Sequence, residues 1–113
     1  MGENAYEDLL EFLREEEIVT AIVFGEWGWG GYEEPIPNAV SHKLFGKILT
    51  IEEAKPLMQT WSFYSGYGAP ECYAVNVYTN QRVIWVTQYD GSTSLNSMSI
   101  IPKEGEIPDM PGG

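Results

Sequence analysis

"YAVNVYTNQRVIWVTQYDGSTSLNSMSI", residues 73–100, is the stretch whose reading decides the fold. It holds three strand-like runs, 73–79, 82–89 and 95–101, separated by turn-forming residues. If Thr79–Arg82 form an even-length turn, Val77 faces Ile84 and Val75 faces Val86. The aliphatic residues then share one side, with Asn76, Tyr78, Trp85, Thr87 and Tyr89 on the other. The second hairpin turns on "DGST", residues 90–93. An even loop there would put Ser97 and Ser99 among the aliphatics, where their hydroxyls lack evident partners. An odd loop pairs Val86 with Met98 and Ile84 with Ile100, and moves both serines to the aromatic side. The odd loop is the expectation, giving an antiparallel meander with one aliphatic face and one face of aromatic, amide and hydroxyl groups.

Upstream, residues 4–16 read as a helix with Tyr6, Leu9, Leu10 and Leu13 in one apolar stripe. Asn4 is its N-cap, with Glu7 three residues on. The triplet Glu15, Glu16 and Glu17 crowds the negative end of the helix dipole and should stop it. "IVTAIVF" (18–24) is apolar on both alternating faces, as in a strand buried on both sides. "LFGKILT" (44–50) reads as a further short strand. Thr50 and Glu53 then form a capping box for a second helix, which Pro56 shortens or kinks. The fold class expected is α+β: a mainly antiparallel sheet of four or five strands. An acidic N-terminal helix and a short second helix should pack on its aliphatic face. Residues 1–102 form a single domain, and 103–113 an extended tail rich in proline and glycine.

The chain has 113 residues, 17 acidic against six basic, for a net charge of −11. Such a charge repels phosphate backbones and anionic membranes, which argues against direct nucleic-acid binding and against a membrane role. It favours a basic protein partner drawn in electrostatically, and the helix residues Glu7, Glu11, Glu15 and Glu16 form the candidate acidic face. No signal peptide or long apolar run is evident, so the expected location is cytoplasmic.

Two segments are both aromatic and glycine-rich: "FGEWGWGGYEEP" (24–35) and "WSFYSGYGAP" (61–70). Trp27, Trp29, Tyr32, Trp61, Tyr64 and Tyr67 from these segments, with Trp85 on the sheet, are the candidate binding residues, since adaptable aromatic loops suit recognition. Large rings capping a small core are the competing reading. If the loops close over a planar ligand, Trp27→Ala and Trp61→Ala abolish the response to it with little loss of fold.

Catalysis has thinner support. One cysteine and one histidine cannot build a zinc site of the usual kind. A nucleophilic pair would have to be Cys72 and His42. Glu26, Glu33, Glu34 and Asp90 lie near aromatics, as glycosidase acids do, but 17 acids make such neighbours commonplace. No catalytic residue, metal or cofactor is assigned. The leading expectation is a non-enzymatic acidic binding protein that blocks or sequesters a basic, nucleic-acid-handling protein. Small acidic inhibitors of phages and mobile elements resemble it in composition. A binder closing its aromatic loops over a planar ligand such as a nucleotide is the alternative, and a small hydrolase the third.

Overall fold

The computed structural model describes residues 3–28, 34, 35, 37–64, 68, 70–89 and 92–100. Trp29, Tyr32, Glu33, Tyr67, Asp90 and the proposed tail 103–113 lie outside the described residues. The chain is α+β, as its patterning implies. Helix α1 (Ala5–Phe12) precedes strand β1 (Val19–Trp27), a short helix α2 (Ile51–Ala54), and strands β2 (Tyr73–Thr79), β3 (Arg82–Tyr89) and β4 (Ser92–Ser99). All strand pairs are antiparallel, and the sheet order is β1-β2-β3-β4.

Asn4 caps α1, its Oδ1 accepting the Glu7 N–H at 2.9 Å. The helix ends at Phe12, four residues before the periodicity suggests. Three carboxylates at the negative end of the dipole would be unfavourable there. Instead Glu16 takes a positive φ of 61°, and Glu17 turns inward to accept the Arg14 N–H at 2.8 Å. The buried stripe is also rotated from the expected one, with Ala5, Asp8 and Leu9 inside and Leu10 exposed. Asp8 can be buried because Ser62 Oγ and the Phe63 N–H donate to its Oδ2 at 2.6 and 3.0 Å.

The long connection between β1 and β2 covers one face of the sheet. Thr50 and Glu53 make the expected capping box for α2, which passes directly into a 3₁₀ turn (Lys55–Met58) at Pro56. Ala54, Met58, Trp61 and Phe63 descend from it onto Ile22, Phe24, Val75, Val77 and Ile84. Strand β1 is an edge strand, not one buried on both faces. The 44–50 segment covers that edge by a single bridge, Ile22 with Leu49, in place of a fifth strand.

In the sheet, Val77 pairs with Ile84 as expected. The second hairpin differs from expectation. Tyr89 pairs with Ser92, Val86 with Leu95 and Ile84 with Ser97, while Met98 pairs with Val83. The register is even, β4 begins three residues early, and Met98 and Ile100 are exposed. The physical reason is Arg82, which is buried on the helix-covered side. Its Nη1 donates to Ser97 Oγ at 3.0 Å, so the serine sits on that side with its oxygen satisfied. Ser97→Ala should therefore cost about 1–3 kcal/mol, leaving a guanidinium N–H without its acceptor. Urea denaturation checks this, and a neutral result would mean that the bond contributes nothing.

Candidate interaction surface

The two aromatic, glycine-rich segments meet in the core. Between Phe24 and Trp27 the β1–β2 register slips, since Phe24 pairs with Val75 and Trp27 with Tyr73. This bulge returns Trp27 to the same inward face as Phe24, where plain alternation would have sent it outward. Trp61 then packs edge-on against Phe24, Trp27, Phe63 and Tyr73, with ring centroids 6.1, 6.3, 5.2 and 5.2 Å away. Its indole N–H donates to the Leu57 carbonyl at 2.8 Å. Trp27 and Trp61 are 8% and 6% exposed, so they support the fold, and their removal cannot leave it unharmed.

Tyr64 is half-buried beside the outer edge of β4, with the Leu95 backbone near its hydroxyl. Burial raises its phenol, the nearby Asp8 and Glu11 charges add to this, and the Leu95 backbone opposes them. Asn96 Oδ1 accepts the Ser97 N–H at 2.8 Å along the same edge. The acidic candidates divide as well. Glu7 is half-buried and its carboxylate accepts the Glu3 N–H at 3.2 Å, a helix-start role. Glu11, Glu15 and Glu16 are exposed.

One group of side chains has the makings of acid–base chemistry. His42 Nε2 lies 2.7 Å from Glu34 Oε1, and the Tyr73 hydroxyl donates to Glu34 Oε2 at 3.1 Å. The His42 ring stacks on Phe45 with centroids 4.9 Å apart. Burial raises the Tyr73 phenol, with the Glu34 carboxylate adding to it. The nucleophile the sequence offers is Cys72, and burial pushes its thiol up to about 12. A thiol held protonated in this way is inert. No group of three or more metal-binding side chains occurs among the described residues.

The face of the sheet away from the helices is different. Direct cross-strand partners share a face, so two rows cross it: Ala21, Tyr78, Val83 and Met98, then Val23, Asn76, Trp85 and Asn96. Because Leu49 bridges Ile22, Ile48 extends the second row beyond Val23, and it is 78% exposed. Ile18 and Ile100 stand at the end of the first row, their N–H groups bonded to Asn80 Oδ1 and the Gln81 carbonyl. Ile18, Ile48, Tyr78, Met98 and Ile100 are thus gathered here, and among the described residues Leu10 is the one other large apolar side chain so exposed. The four strands contain just two charged residues, Glu26 and Arg82, and Arg82 points to the opposite side. Asn80 Nδ2 donates to the Glu16 carbonyl at 3.5 Å, which sets Glu15 and Glu16 at the same end as Ile18.

Trp85 is the sequence-predicted residue that belongs to this face. Ile18, Met98 and Ile100 were missed because the odd register and the doubly buried β1 assigned their positions to the core, and Ile48 because the 44–50 run was read as a strand of unassigned face. No helix among the described residues is long and apolar enough to cross a membrane. Comparison with protein-family models, with curated proteins and with solved structures finds no match to this chain.

Proposed function

We propose that the protein is a non-enzymatic binding protein that blocks or sequesters a basic, nucleic-acid-handling protein in the cytoplasm. The observation that carries this reading is the sheet face away from the helices, which gathers the exposed Ile18, Ile48, Tyr78, Met98 and Ile100 and is almost without charge in a molecule of net charge −11. Depletion of charge around aromatic and methionine side chains marks the centre of protein interfaces. An apolar patch of this kind on a folded chain needs a partner or a function. Glu15 and Glu16 at its end supply the acidic rim that attracts and orients a basic surface.

The test compares capture by variants. Immobilised wild-type protein and Leu10→Ser, altered on α1, should retain the same basic protein from host lysate. A Tyr78→Ser/Met98→Asp variant should retain at least about tenfold less, as loss of two interface residues would give. Glu15→Gln/Glu16→Gln should lower the on-rate, as added salt should. Equal capture by all these proteins would sink the reading.

A further inference from the structure

The helix-free face is interrupted by a hollow of about 290 Å³ whose lining includes Val23, Gly25, Ala74, Asn76 and Trp85. Its floor is two adjoining residues that lack bulk. A methyl group on Gly25 would sit 3.4 Å from the Ala74 Cβ. Asn76 and Trp85, paired across β2 and β3, form its polar and aromatic walls. The hollow lies at the lower limit of the roughly 300–1,000 Å³ of small-molecule sites and is open along the sheet, dimensions that suit one side chain from a partner.

We infer that this hollow is the seat of an arginine side chain of the basic partner, an inference that rests on the binding role proposed above. A guanidinium is planar and weakly hydrated, and it stacks on an indole face while its edge donates hydrogen bonds. Trp85 supplies the ring, the Asn76 amide supplies an acceptor, and none of the lining residues carries a positive charge to oppose it. Lysine offers a compact, strongly hydrated ammonium that gains less from a flat aromatic wall. Phosphorylated planar ligands are disfavoured by the net charge of −11.

The test titrates the full chain with N-acetylarginine amide, N-acetyllysine amide, N-acetylleucine amide and adenosine. The readout is the Trp85 indole N–H resonance, assigned among the four tryptophans by its loss in Trp85→Phe. The arginine derivative should shift it saturably and bind about 2–5-fold tighter than the lysine derivative, the range of an exposed cation–π contact. Ala74→Leu, which fills the hollow from an exposed strand position, should abolish the shift. Asn76→Ala, a milder change, should weaken binding while the circular dichroism spectrum stays the same. Equal or tighter binding of the lysine, leucine or adenosine probe overturns the assignment, as does the absence of any saturable arginine shift. If arginine fails while Tyr78→Ser/Met98→Asp still loses partner capture, the seat is wrong and the docking face stands.

Discussion

Arg82→Met is expected to destabilise the protein by about 3–5 kcal/mol, because it leaves the buried Glu17 carboxylate without its counter-charge. Arg82 Nε and Nη2 each donate to Glu17 at 2.8 Å, and Thr79 Oγ1 donates to it at 2.7 Å. The same Nη2 reaches the Phe12 carbonyl at 2.6 Å, and the guanidinium lies over the Phe12 ring at 4.6 Å. One side chain therefore ties the end of α1, the 13–18 turn and two strands together. Burial by itself would raise the Glu17 carboxyl. The hydrogen bonds from Arg82, the Arg14 backbone and Thr79, with the Arg82 charge, outweigh that and hold it at about 2 against an ordinary 4.5. Because the folded value lies below the unfolded one, the pair contributes in full above about pH 5. That contribution, about 3 kcal/mol, is lost progressively as pH falls toward 2. Without Arg82 the buried carboxyl should titrate above its ordinary value, so protonation would relieve the variant. Chemical denaturation between pH 6 and 3 should show the wild type losing more stability than Arg82→Met. Parallel pH profiles would refute the role given to this pair.

Trp61→Ala is expected to cost about 3–5 kcal/mol, the range for deleting a buried tryptophan. The cavity would adjoin Phe24, Trp27, Phe63 and Tyr73 and would orphan the Leu57 carbonyl. Trp85→Ala, on the half-buried outer row, should cost much less. Thermal unfolding of the two variants side by side separates a core tryptophan from a surface one. Near-equal melting temperatures would mean that the aromatic cluster does not stabilise the fold.

The strands β2 and β3, the first hairpin register and both N-caps could be read from alternation and short-range capping signals. The second register could not be settled by hydropathy, because the helix-covered face is aliphatic at its centre but ionic at its Arg82 end. The Asp-Gly pair favours a two-residue hairpin, and that local signal agrees with the structure where the search for an all-aliphatic face did not. Alternation failed at Trp27 for a related reason. A bulge adds one residue to β1 and so brings Trp27 to the side that Phe24 occupies. Asp8 gave no signal at all, since its partners Ser62 and Phe63 are more than 50 positions away. The candidate site shifted with these errors, from loop tryptophans to the outer row that holds Trp85.

The outer edge of β4 bears on the colloidal behaviour of the protein. Its eight pairs with β3 run without a bulge, and the strand contains no charge and no proline, the usual guards against edge-to-edge growth. The Asn96 amide occupies a backbone N–H along it, and mutual repulsion between molecules of net charge −11 does the rest. Both the Glu17–Arg82 pair and that repulsion depend on ionised carboxylates. Acid should therefore loosen the fold and remove its protection from self-assembly over one and the same span of pH, so that aggregation on acidification begins from partly opened molecules.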